Sequence, residues 1–340
     1  MMKAIRLGFT GMGHIPVHAH LPGLAPLVES GEVVLQAFCD HNVEVAHEQA
    51  KAFGAKAVYA SHAEMLEKEE LDAVYICLPP TLHKDEITSA IDRGIHVFVE
   101  KPVSLDMEQA VEFSQAIDTA GVVSQVGFMS RYYPSSEKVV ELLEKRQPRH
   151  AQILKFYSGK HIRYWTSRYE LCGGSFVENT IHTVDLLRYF LGDIDKVSAF
   201  YFERGSDDGP EPINMPYVYG VNYRFASGVV GNATTSRVLT NVKASRGEVL
   251  IISDDSLIEW STDEVVENGE SVWKAADGAY RSAFAYQAKA FIDAVRAEDP
   301  TLVRSPYGPS LNSLAAVLGA NASAEDGGNV IDLQDFASAR

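Results

Sequence analysis

Cysteine is scarce in this chain. Among 340 residues there are three, Cys39, Cys77 and Cys172. That is too few for a disulfide framework, and their spacing matches no zinc pattern, so no metal is expected. Two of them sit in apolar, strand-like runs. A reducing, cytoplasmic setting is expected. Basic residues are also in short supply, 30 Lys and Arg against 46 Asp and Glu, for a net charge of −16. That field argues against a nucleic-acid or anionic membrane partner. No apolar run reaches membrane-spanning length. No basic segment leads into a short apolar one, so no secretory signal is expected. Repeats and low-complexity tracts are absent as well. A hydrophobic fraction of 46% and a charged fraction of 22% remain. These are ordinary for a globular protein, and the length suits two domains.

The pattern of the chain changes near residue 128. Before it, short apolar strands near 4–9, 33–39, 73–78, 95–99 and 122–127 alternate with helical segments such as Asn42–Phe53 and Asp85–Arg93. Such alternation predicts right-handed βαβ units and a parallel sheet, an α/β fold. After residue 150, longer stretches alternate apolar and polar residues: 151–157, 197–203, 218–225, 229–236 and 247–253. Period-two alternation predicts a largely antiparallel sheet with one face covered. Ser206 to Pro212 is a loop by composition. Residues 280–297 and 310–325 read as amphipathic helices. The expected division is a dinucleotide-binding domain over 1–128 and an α+β domain over 129–340.

Gly11-Met12-Gly13-His14-Ile15-Pro16 follows the apolar run Ile5-Arg6-Leu7-Gly8-Phe9 directly. A glycine-rich turn between a strand and a helix is the pattern of dinucleotide binding. Gly11 allows the tight turn. Gly13 lets the backbone approach a pyrophosphate, which the helix N-terminus then holds. The third position carries Pro16 instead of Gly or Ala, a residue tolerated in a first helical turn. A second apolar run, Val33 to Cys39, ends in Asp40, at about the downstream distance (roughly 20 residues) expected of a ribose-binding acid. Its charge would repel a 2′-phosphate, and His41 and Asn42 supply no arginine to hold one. NAD is favoured over NADP. The plainer alternative makes Asp40 a turn residue after a strand.

Two further motifs carry chemistry. Val97-Phe98-Val99 stops abruptly at Glu100-Lys101-Pro102. A buried parallel strand that ends in charged residues points them out of the carboxyl edge, where open α/β sheets bind ligands. Alternatively these are two solvated charges and a proline that blocks extension. Further on, Gly173-Gly174 precede a segment whose apolar residues Ile181, Val184, Leu187 and Leu191 recur at helical spacing. Glu178 and His182 then share a face, with Asp185 on its flank. A histidine beside acids is suited to proton exchange. A surface helix with charge pairs is the alternative, although it leaves the paired glycines unexplained; they would let a ligand approach closely.

Taken in order, these residues resemble the Gfo/Idh/MocA family of oxidoreductases, the group of glucose–fructose oxidoreductase and the inositol dehydrogenases. Gly11-x-Gly13-x-Ile15 resembles its phosphate loop and Asp40 its ribose-binding acid. Leu71 to His83 resembles its fourth strand and the loop over the nicotinamide ribose. Glu100-Lys101-Pro102 resembles its signature triplet, Gly127-Phe128 with Arg131-Tyr132 its domain junction, and Glu178…His182…Asp185 its catalytic helix. Glu178 stands where the family usually has Asp, and Thr180 where it often has Gly.

The resemblance implies a Rossmann domain followed by an open mixed sheet through which copies pair as a homodimer or homotetramer. It implies NAD held by Gly11, Met12, Gly13, His14, Ile15, Asp40, His41, Leu78, Pro79, Thr81, His83, Glu100, Lys101 and Arg131. The implied reaction moves a hydride between a sugar or polyol carbinol and the nicotinamide. His182 or Lys101 would take the hydroxyl proton, a choice left open, with Glu178 or Asp185 orienting the histidine. Substrate hydroxyls would meet Lys101, Asn179, His182, Arg131, Trp165 and Tyr280, with Arg163, Tyr164 and Arg168 as further candidates. Two other functions share the fold: glycoside cleavage through transient sugar oxidation, and non-catalytic NAD sensing. Retention of Lys101 and His182 counts against the second.

Overall fold

The computed structural model describes residues 3–158, 164–203, 214–239, 242, 244–276 and 279–338. The loop Ser206–Pro212, Arg163 and the Tyr280 side chain, all considered above, lie outside the described residues. The chain forms two compact units. The first takes residues up to Ser104, Gln109–Tyr132 and Tyr280–Ser310; the second takes Leu105–Glu108, Tyr133–Ala279 and the chain from Leu311 onward.

The first unit is built on six parallel strands: β1 (Ile5–Thr10), β2 (Val33–Cys39), β3 (Ala57–Tyr59), β4 (Ala73–Ile76), β5 (His96–Val99) and β6 (Ser124–Val126). Their order is β3-β2-β1-β4-β5-β6. The order reverses between β1 and β4, so the crevice for a ligand opens at their carboxyl ends. The expected parallel sheet is present. The sequence does not predict strand β3, because three half-buried residues make no pattern. Ring stacking ties the middle of the sheet together: Phe9 to Tyr75 at 4.7 Å and Tyr75 to Phe98 at 4.3 Å. Phe291, from the helix Ala279–Ala297, meets Tyr75 and Phe98 edge-on at 5.6 and 5.7 Å. The same helix exchanges hydrogen bonds with the sheet edge. Gln125 donates to the Gln287 carbonyl and Gln287 to the Val126 carbonyl, both at 3.3 Å.

Among the described residues the second unit carries nine strands: β7 (His150–Ser158), β8 (Ile194–Phe202), β9 (Val218–Phe225), β10 (Val230–Leu239), β11 (Arg246–Ile252), β12 (Leu257–Trp260), β13 (Glu264–Glu267), β14 (Glu270–Lys274) and β15 (Ile331–Asp332). Their order is β14-β13-β12-β11-β7-β10-β9-β8-β15. Every pairing is antiparallel except β7 with β10. The sheet is largely antiparallel, as the alternation predicts, and its one parallel pair makes it the mixed sheet that the resemblance implies. In β9 the buried and exposed residues alternate strictly, so one face is covered. Strands β12 to β15 have two to five residues, too few for a legible period.

Candidate active site

The loop after β1 is shaped by its glycines for two different reasons. Gly11 has φ of +88°, and a Cβ there would stand 2.5 Å from the Cys77 carbonyl oxygen. No other residue fits. A Cβ on Gly13 would meet nothing within 4 Å; that side of the loop is open, as a cradle for a phosphate requires. Asp40 turns back onto the loop. One carboxylate oxygen accepts the Met12 N–H at 2.8 Å, and the other accepts the Asn42 N–H at 2.9 Å and lies 3.1 Å from His41 Nδ1. The Met12 side chain belongs to the core. Its N–H is committed to Asp40, so the N–H groups offered to an anion start at Gly13. Each Asp40 oxygen keeps lone-pair capacity for ribose hydroxyls.

Pro16 opens a π-helical turn, Pro16–His20, which runs into the helix Leu21–Glu29. The sequence predicts an ordinary helix here. The extra residue in the turn leaves His20 buried with Nε2 2.7 Å from a Glu100 carboxylate oxygen. Beside this turn lies a cleft of about 580 Å³, lined from the loop by His14, Ile15 and His18 and from the later helix by Ser282, Phe284 and Ala285. Gly23 lets the backbones close here, since a Cβ would meet the Phe284 carbonyl carbon at 3.0 Å.

After β4 come Leu78 and Pro79, half-buried, then exposed Thr81 and buried His83. Both His83 ring nitrogens are buried without a partner, and burial lowers its pKa to about 4. A neutral ring with two unmet hydrogen-bonding positions fits a polar ligand better than a packed core. After β5, Glu100 is 7% exposed. It accepts from His20 and from the Lys101 N–H at 3.1 Å. Gly127 makes room for it, because a Cβ there would stand 2.5 Å from a Glu100 oxygen. Glu100 is thereby anchored, and Lys101 follows on a fixed backbone. Thr10, ending β1, lies 2.6 Å from His62 Nδ1; neither residue stood out in the sequence. Arg131 is buried and donates to the Arg304 carbonyl, while Arg304 returns a bond to the Arg131 carbonyl at 2.8 Å. The predicted cofactor residues thus follow β1, β2, β4 and β5, side by side on one carboxyl edge, with Arg131 set beyond β6.

In the second unit, Gly173 and Gly174 have φ of +70° and +87°. Gly173 ends the short helix Tyr169–Cys172 in a left-handed turn. A Cβ on Gly174 would stand 2.7 Å from the Tyr219 hydroxyl. The pair therefore serves backbone geometry and internal packing, not the approach of a ligand. The following segment starts as a π-turn, Phe176–Thr180, and continues as the helix Ile181–Leu191. Glu178, Asn179 and His182 are half-buried on it. Asn179 Oδ1 and Thr180 Oγ1 are buried without partners. Asp185 is fully buried and accepts from Ser313 Oγ at 2.7 Å, with Arg188 at 3.9 Å. It secures the helix. Trp165 packs against the Cys172–Met215–Tyr217 cluster.

A parallel sheet of this order, with an open glycine loop and an acid closing β2, defines an oxidoreductase of the NAD-binding Rossmann class. Residues 5–128 match the oxidoreductase family model, NAD-binding Rossmann fold, and residues 147–252 match the GFO/IDH/MocA C-terminal domain. The chain belongs to the Gfo/Idh/MocA family. It is 30% identical to a D-xylose 1-dehydrogenase (NADP(+)) of Haloferax volcanii over 57% of this chain and 58% of that one. It is 25% identical to the myo-inositol 2-dehydrogenase of Thermotoga maritima over 89% of this chain and 92% of that one. The match thus spans little more than half of the first relative and nearly all of the second. A crystal structure of an oxidoreductase from Thermotoga maritima superposes with a TM-score of 0.84 at 25% identity, over 98% of this chain and 99% of that one.

Proposed function

We propose that the protein oxidises a carbinol of a sugar or polyol with NAD. The observation that carries this reading is the single carboxyl edge holding the Gly13 cradle, Asp40, His83 and Lys101. NAD, when bound, supplies the hydride acceptor. Asp40 favours it over NADP, since a carboxylate beside a 2′-phosphate is repulsive. Gly13, His14 and Ile15 would hold the pyrophosphate, and Leu78, Pro79, Thr81 and His83 the nicotinamide half. Lys101 donates a hydrogen bond to the substrate oxygen as charge develops on it, a contribution typically worth about 3 kcal/mol. His182 accepts the hydroxyl proton, with Glu178 holding the imidazolium that results. Asn179 orients the neighbouring hydroxyls. The three cysteines are free, which suits a reducing cytoplasm. No helix of the described residues is long and apolar enough to cross a membrane. Copies of the chain pair through the outer face of the nine-stranded sheet.

The test is a scan of sugars and polyols for NADH formation, followed by two variants on the best substrate. Lys101→Met and His182→Ala should each lower turnover by about 10²-fold while NAD affinity stays within a few-fold. Turnover near the wild-type rate removes that residue from the mechanism. Loss of NAD binding in Lys101→Met reassigns the lysine to the cofactor.

A further inference from the structure

We infer that the second unit carries an oxyanion subsite, Arg237 and Lys155 set against Tyr157, which reads an acidic group on the substrate. The inference rests on the proposed sugar oxidation and narrows its substrate class from neutral polyols to acidic sugars.

Strands β7 and β10 are parallel neighbours, so their carboxyl ends lie side by side. On β7, Ala151 and Ile153 point to the covered face. The alternation continues with Lys155 and Tyr157. On β10, Ala233 and Thr235 point the same way, followed by Arg237. The two strands leave register after Ser236, and Arg237 stands in that bulge. Bulges commonly mark functional edges. The inward face is therefore apolar at one end and cationic at the other. The Arg237 guanidinium lies 4.8 Å from the Tyr157 ring centroid, and Lys155 Nζ lies 5.9 Å from it. Lys155 also donates to the Asn179 carbonyl at 3.4 Å. The cationic end thus adjoins the helix that bears His182.

Arg237 is only 5% exposed and its Nε is buried without a partner. Among the described residues no carboxylate, carbonyl or hydroxyl bonds its guanidinium. The Tyr157 hydroxyl is buried and unmet as well. Glu178 shares this neighbourhood but forms no ion pair with Arg237. A buried guanidinium without a counter-ion is costly, and natural proteins rarely keep one. A planar fork of donors matches a carboxylate or a phosphate in two parallel hydrogen bonds. Tyr157 supplies a face for the cation and a hydroxyl for the same anion. A neutral polyol would satisfy the hydrogen bonds but not the charge.

The experiment compares D-glucuronate, D-gluconate and D-glucose 6-phosphate with myo-inositol and D-glucose. Each is measured twice: by NADH formation and by calorimetric binding to the protein with NADH present. At least one acid should exceed its neutral counterpart by about 10-fold or more in kcat/KM or affinity, the scale of a charge-assisted pair. A preference for the uronate or aldonate identifies a carboxylate, and a preference for the sugar phosphate a phosphate. Arg237→Gln should erase the acid-to-neutral ratio, mainly through KM, and Arg237→Lys should restore part of it. Neutral sugars equal to or better than acids in both measurements overturn the subsite and leave the dehydrogenase reading standing. Acid binding without any turnover keeps the subsite and counts against the dehydrogenase.

Discussion

Asp40 is one residue with two tasks. It closes the glycine loop through the Met12 N–H and, in the proposed function, selects the cofactor. Removing it therefore affects both NAD and NADP. The pair Asp40→Ser with His41→Arg should shift the ratio of NADP to NAD affinity upward by at least about tenfold, or 1.4 kcal/mol, while NAD binding itself weakens. Titration calorimetry reads both constants, and an unchanged ratio would show that Asp40 does not meet the ribose. His83 leads to a pH prediction. Its ordinary value is near 6.5, and burial holds it at about 4 in the folded chain. Between those values the unfolded chain binds a proton that the folded chain refuses. Stability is therefore lost as pH falls from about 6.5 to about 4, on the order of 3 kcal/mol in full. His83→Leu should flatten this acid limb when melting is followed from pH 7 to pH 4.5 without cofactor. His62 and His96, also held low by burial, keep a remainder. An equally steep limb in the variant would remove His83 as its source.

At the scale of elements, the two loop glycines separate fold from function. Gly11→Ala forces a side chain into a left-handed backbone against the Cys77 carbonyl, and should cost about 1–3 kcal/mol of stability. Gly13→Ala meets open space, so melting should move by less than about 0.5 kcal/mol, while NADH affinity drops. Paired thermal melts and fluorescence titrations distinguish them; intact affinity in Gly13→Ala would deny the loop its phosphate. The same contrast explains what the sequence reveals. The buried strands of the first sheet are legible because Val97 to Val99 is an unbroken apolar run and Val33 to Cys39 is interrupted only by Gln36. Lys101 is legible because charge follows such a run at once. The π-turns at Pro16–His20 and Phe176–Thr180 are not, because one added residue hardly disturbs a helical period. The His20–Glu100 pair therefore stays hidden, 80 residues apart in sequence. Arg237 is hidden for another reason. On β10 the valines Val230 and Val238 face outward and the arginine inward, the reverse of what hydropathy suggests.

At the scale of the whole molecule, the outer face of the second sheet is unusually apolar. Phe200 and Phe202 on β8 are 64% and 62% exposed, and Val230 and Val238 on β10 are 54% and 48% exposed. Exposed rings side by side on a broad sheet suit the pairing of copies proposed above. Sedimentation velocity should show a dimer or tetramer. Phe200→Asp combined with Phe202→Asp should give a monomer that keeps its melting profile. A wild-type protein that sediments as a monomer at micromolar concentration rules the interface out.

The first unit is not finished when its sixth strand is made. Phe291 covers Tyr75 and Phe98, Ser305 accepts the Val126 N–H at 2.8 Å, and Arg296 pairs with Glu32 at 3.0 Å. All three partners belong to Tyr280–Ser310. A ribosome adding residues at about 5–20 per second needs roughly 10–30 s to travel from the sixth strand to that segment. Through that interval the aromatic face of the nascent sheet has His20 against it but lacks Phe291. A gene fragment stopped after residue 132 would therefore be held by chaperones or aggregate, and a fragment fused to residues 280–310 would be released.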